Sequence, residues 1–272
     1  HLGNVLVREL ITRGRRVRGL YRSEPDTGFP YGVEAVFGNL HDIESLKSAF
    51  RGADRVYHTA GMIAIGADQY RLLHSVNVQG THNVIEACSA VTDCRLIYIC
   101  SIEAFDLLGG DYPVTEQTSI NPASTVMPYG RSKALAFLEV DKAVSEKRLD
   151  AVTLFPTGFI GPCDTKMSPM TKLVKDFAKG KVPAGLAGGF DFVDVRDVAS
   201  GAISSAEEGR PGEKFLLPGA YITVKDLFTL LSNITGRKPP AIIIPVKLTS
   251  LIGLLAEVTN RILGRQPRYT RK

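Results

Sequence analysis

The chain has 272 residues, of which 44% are hydrophobic and 22% charged, a balance typical of a folded globular protein with a sizeable core. Its net charge of +5 is too small and too dispersed to indicate a nucleic-acid partner. The four cysteines and five histidines show none of the spacings of metal sites or redox pairs, so we expect no metal and reduced thiols, as in a cytoplasmic protein. Charged residues interrupt the most apolar late stretch, 241–263, so we expect no stable membrane insertion.

Short buried strands alternate with helices over the first 160 residues. The chain opens in a helix, and because a domain rarely begins inside a turn, we expect a first strand upstream that this sequence lacks. The predicted strands are 17–21, 33–37, 55–59, 95–100 and 151–155, and the predicted helices between them are 43–50, 70–90 and 129–147. This alternation predicts an α/β fold with a doubly wound parallel sheet.

Beyond residue 160 the alternation loosens. The predicted elements there are a helix at 173–178, a strand at 190–194, a helix at 195–206, a strand at 214–217 and a helix at 224–234. We expect a domain over 1–160 and a smaller lobe over 161–272, with the elements near 190–217 returning to the first domain.

Ligands of parallel α/β sheets bind beyond the carboxyl ends of the strands. Five sites in the sequence follow predicted strands directly: Arg22, Asn39, Ala60-Gly61, Ser101 and Pro156-Thr157. Their shared position is the strongest indication of a binding site that the residues alone provide.

Two residues indicate a nucleotide. Gly3 stands at the start of the first helix, where a glycine lets a pyrophosphate approach backbone N–H groups. Arg22 follows the next strand, where a dinucleotide fold places the group that contacts the ribose. An acid there favours NAD, whereas an arginine can bind a 2′-phosphate and favours NADP. Alternatively, Arg22 is an exposed loop residue that does not contact a cofactor.

Tyr129 and Lys133 are four residues apart, which on a helix places both on one face. A phenol normally keeps its proton up to about pH 10. A neighbouring ammonium lowers that pKa, so we expect Tyr129 to exchange a proton near neutral pH. The alternative is an ordinary solvated helix face.

Five sets of motifs, taken in order, resemble those of the extended short-chain dehydrogenases/reductases. The branch contains proteins similar to dihydroflavonol 4-reductase, cinnamoyl-CoA reductase, 3β-hydroxysteroid dehydrogenase and the sugar-nucleotide epimerases. The motifs are His1-Leu2-Gly3, Gly38 to Asp42, His58 to Gly61 with Asn77 to Thr81, Tyr129 to Lys133, and Pro156 to Pro162 with Phe192 to Ala199.

The resemblance implies a Rossmann-type fold and a catalytic triad. In that triad Tyr129 transfers the proton, Ser101 holds the substrate oxygen, and Lys133 lowers the pKa of Tyr129 and binds the nicotinamide ribose. The residues implied in cofactor binding are Leu2, Gly3, Arg22, Asn39, Leu40, Thr59, Ala60, Gly61, Tyr129, Lys133, Pro156, Thr157 and Gly158. The sequence departs from the family at Asn39, where Asp is usual, and at Cys100, where Ser is frequent.

We therefore expect an NAD(P)-dependent oxidoreductase, with NADP(H) preferred and NAD(H) possible, that reduces a ketone or aldehyde or runs the reverse reaction. The domain 1–160 would bind the dinucleotide and the lobe 161–272 the small-molecule substrate. The alternatives are an NAD-dependent sugar-nucleotide epimerase or dehydratase and a non-catalytic nucleotide-binding scaffold. The resemblance also implies a homodimer formed by the two long helices. The stretch 242–263 would pack over the substrate pocket or a dimer face or, as a weaker alternative, touch a membrane surface.

Overall fold

The computed structural model describes residues 1–24, 30–64, 67–107, 113–125 and 127–245. The chain divides into two compact units. The larger unit comprises His1–Thr165 and Val193–Pro218, and the smaller comprises Lys166–Phe192 and the chain from Gly219 onward.

A parallel sheet forms the centre of the larger unit. Its strands, in spatial order, are β3 (Arg55–His58), β4 (Arg95–Ile99), β5 (Asp150–Pro156) and β9 (Lys214–Leu217). Two earlier strands, β1 (Val17–Tyr21) and β2 (Val33–Phe37), also pair in parallel. The predicted α/β fold with a parallel sheet is confirmed.

Helices cover both faces of this sheet, which is why its central strands are apolar on both sides. Leu96 and Tyr98 of β4 point into one buried cluster, and Ile97 and Ile99 point into another. The helices of the larger unit are α1 (Leu2–Thr12), α2 (Ile43–Phe50), the helical run 70–89, α5 (Pro128–Ser145) and α7 (Val195–Glu208).

Two aspartates begin helices. The carboxylate of Asp42 accepts the backbone N–H groups of Glu44 and Ser45 and starts α2. Asp194 caps α7 in the same way and also pairs with the guanidinium of Arg196. This arginine lowers the pKa of Asp194. Both aspartates thus have structural roles in the larger unit.

The predicted long helix 70–90 is interrupted. It consists of α3 (Tyr70–Leu73), a π-helical turn (His74–Gln79) and α4 (Gly80–Ser89). A π turn accommodates one extra residue and commonly marks a functional site. The buried Asn77 lies within it.

The smaller unit contains α6 (Pro169–Ala178) and α8 (Val224–Thr235), which pack through the stacked rings of Phe177 and Phe228, 5.5 Å apart. Its short strands are β7 (Ala184–Leu186) with β11 (Ile242–Ile244), and the first part of β8 (Gly189–Asp194) with β10 (Ala220–Thr223). The sequence did not predict β7, β10 and β11, or β6 (Gly158–Ile160), each of which has only three or four residues.

Within the described residues, no helix has both the length and the apolar character needed to cross a membrane. Residues 246–263 of the apolar stretch singled out in the sequence lie outside the described residues.

Candidate active site

Close packing of α5 brings Tyr129 to Ser101. Ser101 follows β4 and begins a single 3-10 turn, Ile102–Ala104. Gly130, the residue after Tyr129, faces the backbone carbonyl of Glu103 in that turn, and a Cβ at position 130 would overlap the oxygen. A glycine at this position therefore permits the approach of helix and turn.

The Ser101 hydroxyl lies near enough to the Tyr129 phenol to affect its pKa. Burial raises the pKa of Tyr129 above its usual value, the negative charge of Glu103 raises it further, and the nearby hydroxyl of Ser101 opposes the rise. The sequence-based expectation of a lowered pKa is wrong for this arrangement. The phenol is held in its protonated form.

The position of Lys133 explains this difference. Its side chain is 4% exposed, and its Nζ donates to the carbonyl of Ile99 at 2.7 Å. The same Nζ lies 4.6 Å from the centre of the Tyr98 ring, within range of a cation–π interaction. Burial lowers the pKa of Lys133. The ammonium is thus engaged by residues of β4.

His58 lies in the same buried layer. Its ring stacks on Tyr98 with the ring centres 5.6 Å apart, and its Nε2 lies 3.0 Å from Thr81 Oγ1. Thr81 donates its own proton to the carbonyl of Asn77, so His58 Nε2 is the donor to Thr81. Burial and the charge of Lys133 lower the pKa of His58 to about 3. His58 is therefore neutral at physiological pH.

Asn77 connects the loop after β3 to the first turn of α5. Its side chain accepts the N–H of Met62 at 2.8 Å and donates to the Met62 carbonyl at 2.9 Å. It also donates to Ser132 Oγ at 2.9 Å, and Ser132 donates in turn to the carbonyl of Tyr129 at 2.7 Å. These bonds give Asn77 a structural role, and they fix the backbone of Tyr129.

Cys100, where the family often has serine, is buried behind Lys133. Its Sγ donates to the Lys133 carbonyl at 3.5 Å. Burial raises the pKa of this thiol to about 11, so it remains protonated. The substitution therefore leaves a hydrogen-bond donor in place beside Ser101.

The start of α1 fits an anionic group. A Cβ at Gly3 would lie 3.1 Å from Thr59 Oγ1, so the first turn of α1 approaches the end of β3 closely. No acidic side chain lies in that turn, and the side chain of His1 does not cap it. Leu2 is buried and anchors the turn in the core. Backbone N–H groups at such a helix start suit the pyrophosphate of a dinucleotide.

Asn39 and Leu40 form the turn after β2. Asn39 Oδ1 accepts the N–H of His41 at 3.1 Å, which leaves the side-chain amide as a donor. Leu40 is held against α4, where its side chain contacts Gly80 and its carbonyl accepts from Asn83 at 2.8 Å. The turn is thereby fixed in place.

The other predicted cofactor residues lie at strand ends. Arg22 is exposed after β1, and its side chain forms no bond within the described part of the chain. Ala60 and Gly61 follow β3, and Gly61 lies beside Asn77. Pro156 ends β5, Gly158 begins β6, and Thr157 between them donates its N–H to the carbonyl of Leu217 at 3.2 Å.

Three residues that shape the site have no role predicted from the sequence: Tyr98, Gly130 and Ser132. Gly130 carried a detectable signal, since a glycine inside a helix costs about 1 kcal/mol and indicates a packing constraint. Tyr98 and Ser132 carried none, because an aromatic residue in a strand and a serine in a helix are ordinary. In the described part of the chain, no three His, Cys, Asp or Glu side chains are grouped as a metal site would require.

The chain is similar to known proteins in both sequence and structure. The sequence pattern of the NAD dependent epimerase/dehydratase family matches residues 1–217. Sterol demethylase protein B of Methylococcus capsulatus is 31% identical over 99% of this chain and 83% of its own length. A protein of Synechocystis provisionally named dihydroflavonol 4-reductase is 28% identical over 98% of this chain and 79% of its own. The crystal structure of gox2253 superposes with a TM-score of 0.82, at 31% identity over 99% of this chain and 82% of that one.

Proposed function

The chain belongs to the NAD-dependent epimerase/dehydratase family, and from that premise we propose that it reduces a ketone or aldehyde with NADPH through Ser101, Tyr129 and Lys133. It is an NAD(P)-dependent reductase or dehydrogenase of the extended short-chain type. One observation carries the proposal. Gly130 packs against the turn that begins at Ser101, so the residue before it, Tyr129, stands beside this serine as a proton donor for a carbonyl oxygen.

Each side chain has a separate task in this proposal. Bound NADPH supplies the hydride that the carbonyl carbon of the substrate accepts. Tyr129 gives its phenolic proton to the carbonyl oxygen as negative charge develops there. Ser101 accepts the N–H of Glu103 at 3.2 Å, so its own hydroxyl proton is available to the same oxygen.

Lys133 supports the cofactor rather than the substrate. Its Nζ has three donors, and the Ile99 carbonyl takes one of them. Another donor can bind a ribose hydroxyl. The turn at Leu2 and Gly3 with Thr59 would hold the pyrophosphate. Asn39 and Leu40 would contact the adenine, and Ala60, Gly61, Pro156, Thr157 and Gly158 the rest of the dinucleotide.

The preference for NADPH rests on Arg22. It stands after β1 where an acid would bind the ribose 2′-hydroxyl, and its guanidinium, which pairs with no described residue, suits a 2′-phosphate instead. We expect isothermal titration calorimetry to show tighter binding of NADPH than of NADH. Arg22→Ala should abolish the difference.

Arg16 offers a matched control, because it is also exposed and precedes β1 at the opposite end of the strand. Arg16→Ala should leave the preference unchanged. Tighter binding of NADH, or NAD retained through purification, would favour an epimerase or dehydratase. Binding of neither cofactor would favour a scaffold without catalysis.

The catalytic role is tested with Tyr129→Phe. The variant should keep its thermal stability and bind NADPH, yet lose nearly all oxidation of NADPH in the presence of aldehydes and ketones. A panel running from small polar to large apolar carbonyl compounds would identify the substrate class. Full activity of the variant would reject Tyr129 as the proton donor.

We also propose that the protein is a homodimer in the cytoplasm. The smaller unit would supply most of the substrate contacts. The helical run 70–89 and α5 would form a homodimer, for which light scattering at micromolar concentration is the test. A monomer there would contradict it. The four free cysteines suit the reducing cytoplasm.

A further inference from the structure

Positive charge is concentrated in the smaller unit. By sequence, this unit has 14 basic and 4 acidic residues, whereas the larger unit has 19 basic and 24 acidic residues. Within the described residues the smaller unit has eight basic side chains and three acidic ones. The net charge of the whole chain, +5, conceals this asymmetry.

The two units also differ in how their charges are paired. Every salt bridge between described residues lies in the larger unit, from Arg13–Glu9 to Arg210–Glu213. The eight basic residues of the smaller unit form no ion pair with a described residue: Lys166, Lys172, Lys175, Lys179, Lys181, Lys225, Arg237 and Lys238. Unpaired like charges repel one another, so their concentration here is unfavourable without an anionic partner.

Three of these lysines form a stripe on α6. Lys172, Lys175 and Lys179 are exposed and lie within an arc of about 60° on the helix. The opposite face of α6, with Phe177, packs into the core of the unit. α6 is therefore an amphipathic helix with a cationic outer face.

Further basic residues lie next to the stripe, at the end of α8. The guanidinium of Arg237 lies beside Gly180, which follows the last lysine of the stripe and precedes Lys181. Lys238 is next in the chain and exposed. Ile234, in the last turn of α8, is 79% exposed although it is large and apolar. The end of α8 thus brings an exposed apolar side chain and two basic residues together in the chain, and the first of these, Arg237, lies beside the residue that follows the stripe.

We propose that this face, defined by the lysine stripe of α6 with Lys181, Ile234, Arg237 and Lys238, binds the surface of an anionic membrane. Clustered basic side chains together with an exposed apolar one match a layer of anionic headgroups over hydrocarbon. A nucleic-acid site would instead call for arginine and stacking aromatic rings, and the face has one arginine and no aromatic ring. This inference does not depend on the reaction, so it stands or falls separately from the proposed function.

Vesicle sedimentation with the full chain tests the proposal. The chain should sediment with vesicles of phosphatidylcholine containing about one quarter phosphatidylserine, and not with phosphatidylcholine alone. Salt at about 0.5 M should release it, because screening shortens the range of the attraction. The double variant Lys179→Glu, Arg237→Glu should bind at least thirty-fold less, roughly the worth of two basic residues at such a surface.

The control variant is Arg8→Glu, Arg16→Glu, which makes the same change in net charge with exposed, unpaired residues of the larger unit. It should retain most of the binding. Melting curves check folding, and Lys179→Gln, Arg237→Gln provides a milder pair. Equal sedimentation with neutral vesicles, no sedimentation at low salt, an equal loss in the control, or tighter binding to a DNA duplex than to anionic vesicles would each overturn the proposal.

Discussion

Gly130 and the carbonyl oxygen of Glu103 are packed so closely that no side chain fits between them. This contact fixes α5 against the turn that begins at Ser101, and so it sets the geometry of Tyr129 with respect to Ser101. The position of the proposed acid thus depends on a residue that takes no part in the chemistry.

Gly130→Ala should therefore separate the two elements. Because the obstacle is backbone rather than a flexible side chain, we expect a loss of at least about 2 kcal/mol in the free energy of unfolding and a large fall in activity. Gly201→Ala in α7 is the control, since a Cβ there meets only the side chain of Leu217. Urea unfolding of both variants measures the difference. Equal stability of the two would show that α5 adjusts freely.

The charge of Lys133 lowers the pKa of His58. Removing that charge with Lys133→Met should raise the pKa of His58, although burial will keep it below its ordinary value. NMR titration of the imidazole resonances measures the change. Lys142→Met, at a 68% exposed side chain on the same helix, should have no such effect. An unchanged His58 in the first variant would mean that burial alone accounts for the shift.

His58 should make stability depend on pH. Its pKa is about 3 in the folded chain and about 6.5 when unfolded, so between these values the unfolded state binds the extra proton. Its contribution to stability is therefore complete above about pH 6.5 and declines by up to about 1.4 kcal/mol per pH unit as the pH falls. His58→Gln should flatten the stability profile between pH 6.5 and 4, relative to the exposed control His41→Gln. Parallel profiles for the two variants would contradict this.

Asn77→Leu should destabilise the fold strongly. It keeps the volume of the side chain but removes the partner of both part-buried backbone groups of Met62, and it removes the amide donor to the buried Ser132 hydroxyl, which keeps its own bond to the Tyr129 carbonyl. Buried polar groups without partners cost about 1–3 kcal/mol each, so we expect a loss of roughly 3 kcal/mol. Asn83→Leu, which removes one part-buried bond to Leu40 and one exposed bond from Gln79, should cost about 1 kcal/mol. Urea unfolding measures the free energy of unfolding of both variants. Similar losses in the two would contradict a special role for Asn77.

Three strands were predicted to the residue. The bounds of β1, β2 and β9 agree with the structure, because each is enclosed by glycine, proline or charged residues. The three-residue strands β7 and β11 were missed, since their pairing is decided by neighbours distant in sequence. The π turn at His74–Gln79 was missed for a similar reason: it depends on bonds that Asn77 makes across the fold.

The candidate site, too, was predicted from the sequence only in part. Spacing alone placed Tyr129 and Lys133 on one face of a helix, and both lie on α5. The direction of the Tyr129 pKa could not be predicted, because it depends on burial and on the nearby charge of Glu103. Nor could spacing show that Ile99 and Tyr98 hold the ammonium of Lys133.

The π turn also bears on how this sequence should be aligned with its relatives. Because such a turn holds one residue more than an α turn, removing that residue restores a regular helix and leaves α4 in register. Elsewhere in the same helix a deletion would rotate everything beyond it by about 100°. A one-residue gap in an alignment therefore belongs within His74–Gln79. A relative with that gap would keep the packing of α4 while losing the connection from Asn77 to Met62.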